Sequence, residues 1–468
     1  MSTFGQGMSK TSWLLVCSVI ARWAHCFGMR NAKQAVVLGA GIAGLTAARA
    51  LSETFESVVV IERDQLPAEP ENRRGIPQGR HVHGLLARGL GALEELFPGF
   101  EDDLVAAGGL RGDIQSEIHW HIDGHLLRPD PSGLIGVAAS RPLIEFEIRQ
   151  RVSKLPGVRF IDNCDIMNLV TTRDRVRVTG VGIISRADGS SASTVDADLV
   201  VDATGRGSRT PTWLKELGYP EPPEHRLDVD ISYVTWYFNR EPHHGDLPFG
   251  TSISAFPGSR RSGFLMALEG DRFLLTTGGI FGERPPDGPT GLAAFAASLP
   301  STAFADFLAT ATVIDGPIKA RYPTTVRRHY EKLHSFPAGL LVVGDALCSF
   351  NPVYGQGMSV AALEALLLRN IVSADSGDVA KEFFKKAARL IGTPWTIAAG
   401  SDMRYPESRV RAPLQNRVIN QYLARLYRVA ADDAIVARAF LRVLNLLDSP
   451  DKLLTPRIAY RVARGLLR

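Results

Sequence analysis

The segment that most restricts what this chain can fold into is AVVLGAGIAGLTAARALSETFESVVVIERD, residues 35 to 64. A β-branched run, a glycine turn, an alanine-rich helix and a second strand ending in an acid make a βαβ unit, the building block of a layered α/β fold. Within GAGIAG, Gly39 permits the tight turn, Gly41 lets the backbone approach a pyrophosphate, and Gly44, next to Ala43, lets helix and strand pack closely. The helix start near Ile42 offers unpaired N–H groups and a positive dipole end, which suit phosphate. Glu62 follows Gly39 by 23 residues, the spacing at which an acid accepts the hydroxyls of an adenosine ribose; Arg63 beside it joins the candidates. This fingerprint alone serves FAD and NAD equally.

A second segment, GLLVVGDALCSFNPVYGQGMSVAALEALLLRNIV (339 to 372), selects FAD. It reads as a buried strand (340 to 343), the turn Gly344-Asp345, a loop containing Pro352 and Gly355, and a helix entered at Gly357 and Met358. Asp345 at a strand's carboxyl end is placed to accept a ribityl hydroxyl. The positive end of the helix would face the flavin pyrimidine, where negative charge gathers on reduction.

Together, GAGIAG with Glu62 and GDALCSFNPVYGQGMS resemble the FAD-dependent aromatic hydroxylase superfamily, the p-hydroxybenzoate hydroxylase-like flavin monooxygenases. Residues 73 to 99 (RRGIPQGRHVHGLLARGLGALEELFPG) and 197 to 218 (ADLVVDATGRGSRTPTWLKELG) look most like bacterial FAD-dependent epoxidases of the polyether-antibiotic type, such as those of lasalocid and monensin, which are relatives of squalene epoxidase. The resemblance spans most of residues 34 to 468. It implies that Arg141, at the start of a helix, reaches the FAD pyrophosphate with its planar, permanently charged fork, and that Asp202 and Gly205 contact FAD or NADPH. Where the hydroxylases carry Asp-Gly, this chain has Asp202-Ala203-Thr204-Gly205, a form shared with flavin reductases and halogenases, so NADPH docking is less secured than FAD. Arg80 is a second candidate for lining the flavin cleft.

The implied fold is α/β: a discontinuous, Rossmann-like (GR2-type) FAD-binding domain over 34–85, 126–224 and 320–375. Residues 86–125 and 225–319 are expected to form an inserted antiparallel-sheet substrate domain, and 376–468 a helical C-terminal region. Short alternating runs such as DISYVTWYF and GFLMAL give the sheet. Tyr233, Trp236, Phe238, Phe264 and Met266 suit either an apolar pocket over the flavin or plain core. Residues 1–33 form an N-terminal extension, and three readings of it stay open: a segment outside the fold with Met29 as a second start, a surface helix, or an export signal. Its apolar stretch of nine residues (13 to 21) is too short for a bilayer, which needs about 20.

In this chemistry reduced FAD reacts with O2 to a hydroperoxide at C4a, whose distal oxygen is transferred, so no catalytic side chain and no metal is expected. His119, His121 and His125 share a strand region without a completing carboxylate or cysteine cluster. The four cysteines contain no C-x-x-C pair, as suits a reducing cytoplasm. The expected activity is NADPH- or NADH-driven insertion of one oxygen into a small lipophilic substrate, by epoxidation or hydroxylation. A flavin-dependent reductase or dehydrogenase of the same fold is the alternative.

Charge sharpens the partners. Residues 404 to 468 carry 13 Lys/Arg against 5 Asp/Glu, while the preceding body has 40 against 44. A mildly acidic body excludes nucleic acid. The basic amphipathic stretch 455 to 468 reads either as a weak membrane contact, making a cytoplasmic protein membrane-associated, or as a helix packed on the FAD domain.

Overall fold

The computed structural model describes residues 33–187, 192–245, 247–374, 377–408 and 414–465; residues 1–32 of the expected extension lie outside these. Five strands form a parallel sheet in the order Leu340–Val342, Leu199–Asp202, Gln34–Leu38, Ser57–Ile61 and Val158–Ile161. In the first four, the Val, Leu and Ile side chains are almost wholly buried, as expected for strands covered on both faces, while Val158 and Ile161 of the edge strand are only partly buried. The helix Ile42–Leu51 follows the first strand and lies against Gly357–Ser373 and Arg141–Ser153. A three-stranded antiparallel sheet (Cys164–Thr171, Val178–Ser185, Ala192–Asp196) shares this core.

The second layer is an eight-stranded sheet ordered Cys348–Ser349, Val313–Arg328, Glu224–Asn239, Arg272–Gly279, Arg261–Leu268, Gly250–Ile253, Ile118–Ile122 and His125–Leu126. It is antiparallel except where Gly250–Ile253 runs parallel to Ile118–Ile122. It also outgrows the expected 225–319. The long strand Val313–Arg328 continues past 319 and pairs Val326 with Ser349, which ties the sheet to the cofactor segment.

The helices Ala87–Leu96 and Phe100–Ala106, expected in the substrate unit, bury Leu90, Leu93, Phe100 and Leu104 in the core of the parallel sheet. Ala87–Leu96 packs against Gly357–Ser373, and Phe100–Ala106 against Arg141–Ser153. The C-terminal helix Pro456–Gly465 buries Ile458 and Val462 against Leu414–Ala430 and Ala434–Leu444, not against the FAD domain. Arg461 pairs with Asp433 at 2.7 Å, while Tyr460 is exposed. Among the described residues, no helix is long and apolar enough to cross a membrane.

Strand alternation divides the aromatic residues of the sheet into two groups. Val234, Trp236 and Phe238 point into a core closed by Pro289–Ala297 and Ala303–Leu308. Tyr233, Thr235 and Tyr237 take the other face; their neighbours across the sheet include Thr276, Phe264 and Met266. Of the five candidate pocket residues, Trp236 and Phe238 are therefore core. Phe238→Ala is expected to cost about 3–5 kcal/mol of unfolding free energy in a denaturant titration. Phe264→Ala, at a partly exposed position, should cost clearly less; equal losses would contradict the division.

Candidate functional site

Backbone geometry brings the first glycine motif to a close approach. Gly39 has φ +99°, and a Cβ on Gly44 would run into the Gly39 carbonyl, so only glycine lets the helix start here. The helix begins after Gly41 with no side-chain cap and no acid in its first turn. Its leading N–H groups therefore remain open to an anion.

Behind this turn lies a residue that motif spacing did not single out. Arg73, its side chain 3% exposed, contacts Glu62 at 3.2 Å, Asp64 at 3.5 Å and Glu145 at 2.6 Å, and donates to the carbonyl of Ala40 at 3.1 Å. Burial works against its charge, yet Glu145 and Glu62 together hold its pKa above the ordinary value. Glu62 also accepts from the N–H of Ala40 at 2.7 Å and of Asp64 at 3.0 Å. Glu145 carries the network on to Arg141 at 3.0 Å, where Arg141 Nε is buried without a partner. The signal available in sequence was RRGIPQGR itself, a basic cluster following an acid-ended strand.

The other motif folds alongside. The turn Gly344–Ala346 touches the turn Gly205–Gly207. Burial raises the pKa of Asp345, with Arg141 and Arg206 opposing the shift. The Arg206 guanidinium lies 3.8 Å from the Tyr322 ring centre. Beneath the turn, Glu364 accepts from Gly344 N–H at 2.6 Å, and burial pushes its pKa up to about 8.

Two candidates lie elsewhere. Asp202 is fully buried, and its oxygens accept from Thr204 N–H at 2.9 Å, Thr204 Oγ1 at 2.6 Å, Ser208 Oγ at 2.5 Å and Thr210 Oγ1 at 2.5 Å. It organises the DATGRGSRT turn from inside, because a strand end surrounded by three hydroxyl residues satisfies it internally. Arg63 points to solvent and pairs with Asp165 at 3.0 Å, since the residue after Glu62 faces away from the turn.

The loop at residues 80 to 82 packs on the sheet face of Tyr233, Thr235 and Tyr237. The carbonyl of Arg80 accepts from Tyr237 OH at 3.1 Å. His81 Nδ1 meets Thr235 Oγ1 at 2.8 Å, and Thr276 Oγ1 meets Thr235 at 2.7 Å and accepts from Val82 N–H at 3.2 Å. Burial, then Arg80, lowers His81 to about 4; burial, then Arg141, lowers His83 to about 3. Both imidazoles are neutral in ordinary buffers. In the 351–357 loop, Gly355 lies beside Gly84, and Gln356 is buried with neither end of its amide engaged. Met358 is buried at the head of the following helix and Pro352 is exposed. That helix also starts without a side-chain cap.

The residues present fit FAD. Two uncapped helix ends, the unpaired Arg141 Nε and the unpaired Gln356 amide are what a dinucleotide flavin would satisfy. No family model matches the chain. It is 35% identical over 435 residues to Protein Rv3254 of Mycobacterium tuberculosis, covering 89% of this chain and 90% of the relative. The chain belongs to the family of that protein. It is 25% identical over 456 residues to kynurenine 3-monooxygenase of Salinispora arenicola, covering 87% and 85% of the two chains. Among solved structures it is similar to a flavoprotein/dehydrogenase from Cytophaga hutchinsonii, with TM-score 0.65, 13% identity, and 93% and 98% of the chains covered. Its fold is that of the FAD-dependent oxidoreductases.

Removing Arg73 would leave Glu62 and Glu145 buried without their shared counter-charge. Arg73→Ala is therefore expected to lose about 3–5 kcal/mol of stability, whereas Arg63→Ala, at the surface, should change it by less than about 1 kcal/mol; denaturant titration of both checks the clamp. Glu364 gives a pH test. Its folded-state pKa of about 8 exceeds the ordinary 4.5, so the folded state holds the proton more tightly, and stability falls as pH rises from 4.5 to about 8. Glu364→Gln should flatten that part of the stability profile; an unchanged slope would show that Glu364 does not cause it.

Proposed function

We propose that the chain is an FAD-dependent monooxygenase that takes electrons from NADPH or NADH and inserts one oxygen of O2 into a lipophilic substrate. One observation carries this reading. Two glycine motifs that suit a nucleotide each open a helix without a side-chain cap, and the same region holds the unpartnered Arg141 Nε and Gln356 amide.

Bound FAD supplies the activation of dioxygen; the chain's own residues bind, orient and exclude water. The open N–H groups of Ile42–Leu51, with Gly41 and Ala43 at the turn and Arg141 opposite, would hold the pyrophosphate. Glu62, fixed by Arg73, keeps acceptor capacity for ribose. Asp345 would accept from the ribityl chain, and the Gly357 helix end would stabilise negative charge at the pyrimidine. Gly205 and Gly344 let their turns approach closely. The neutral His81 and His83 add no charge here, and the epoxidase-like segments 73–99 and 197–218 favour a lipophilic alkene and epoxidation. The Salinispora relative is by name a 3-monooxygenase of kynurenine, which keeps hydroxylation of an aromatic ring in view.

A reductase or dehydrogenase is the second reading. It is motivated by the form Asp202-Ala203-Thr204-Gly205, which is shared with flavin reductases. The two separate by oxygen dependence. FAD-loaded protein is expected to oxidise NADPH or NADH faster when a lipophilic alkene is added, and to stop after one flavin reduction without O2. Sustained turnover in the absence of O2 would contradict the monooxygenase and support the reductase.

A further inference from the structure

The helix Val379–Asp402 belongs to the C-terminal region, yet its last residue reaches the cofactor loop. Asp402 is 4% exposed. Its carboxylate accepts from Asn351 Nδ2 at 3.0 and 3.2 Å and from Tyr354 OH at 3.0 Å. These two residues bracket Pro352 and Val353, and Asn351 Oδ1 accepts from Val353 N–H at 3.0 Å, which fixes the turn Pro352–Tyr354. Two residues beyond Tyr354 stands Gln356 with its unengaged buried amide, followed at once by the uncapped helix Gly357–Ser373.

We propose that Asp402 is a positioning residue for the flavin: its carboxylate holds the 351–357 loop, and so sets the Gln356 amide and the Gly357 helix end toward the pyrimidine side of the bound ring. This rests on the flavin reading above. The geometry gives Asp402 both grip and influence. It grips the loop at two points, and it places an ionisable group within a few residues of the only stretch whose buried amide lacks a partner among the described residues.

The groups facing Asp402 define a clear titration window. Burial raises its pKa to about 6, with the Asn351 and Tyr354 bonds opposing. The phenols of Tyr354, Tyr233 and Tyr405 are all pushed up by burial. Arg226 and Asp228 line the small cavity that reaches Asp402, and Arg226 is engaged by Glu224 at 2.5 Å. Arg404 is committed to Asp123 at 2.7 Å. His81 and His83 lose their protons well below this range.

The test titrates FAD into wild type, Asp402→Asn, Asp402→Ala and Asn351→Ala, following flavin fluorescence and the absorption spectrum of bound FAD across pH, with melting temperature recorded without FAD. Wild type is expected to bind FAD and to show a spectral change centred near pH 6. Asp402→Asn, which still accepts from Tyr354, should keep FAD binding within about threefold and lose the spectral change. Asp402→Ala and Asn351→Ala should each weaken FAD binding by about tenfold, the worth of one hydrogen bond. Failure of wild type to bind FAD would overturn the flavin reading and the proposal with it. Wild-type binding with an Asp402→Asn spectrum that still changes near pH 6, or with FAD affinity unaltered in Asp402→Ala, would overturn the proposal alone.

Discussion

The cofactor side of this protein depends on one buried ion network. Arg73 joins the acid that ends the second parallel strand, Glu62, to the helix acid Glu145, and also donates to the carbonyl of Ala40 in the glycine turn. A strand end, a turn and a helix from three separated parts of the sequence are thus held by one guanidinium. Buried charge of this kind is a weak source of net stability, because desolvation offsets attraction; what it enforces is geometry, since any arrangement that separates the partners leaves a bare charge in a low dielectric. Arg141 at the end of the same network is thereby oriented, with Nε unsatisfied.

A second layer joins this frame. The strand Val313–Arg328 pairs with Cys348–Ser349, so the large sheet is joined to the flavin loop through the backbone. Thr235, Thr276 and His81 form a polar seam between the sheet and the loop after Arg80.

Local signals made much of this legible. The βαβ unit, the GD turn and the helix at Gly357 follow from glycine positions and hydrophobic runs, and they stand where the sequence places them. What sequence could not supply was partnership across long separations. Arg73 meets Glu145 across 72 residues and Asn351 meets Asp402 across 51, and no periodicity marks such pairs. Asp202 looked like a contact because it ends a strand beside a glycine turn; three nearby hydroxyl residues satisfy it internally instead. Trp236 and Phe238 differ from Tyr233 only in strand phase, and phase acquires meaning only once two helices are known to cover one face. The helices 87 to 106 follow the same logic, since their stripe does not say which core it will join.

The fate of dioxygen separates oxygen transfer from every other flavin reaction. FAD-loaded protein, NADPH and a lipophilic alkene are incubated under oxygen-18 gas in ordinary water, and the product is weighed by mass spectrometry. The product is expected to carry one labelled oxygen atom derived from the gas. A product that is merely reduced or desaturated, or whose added oxygen comes unlabelled from water, would contradict it.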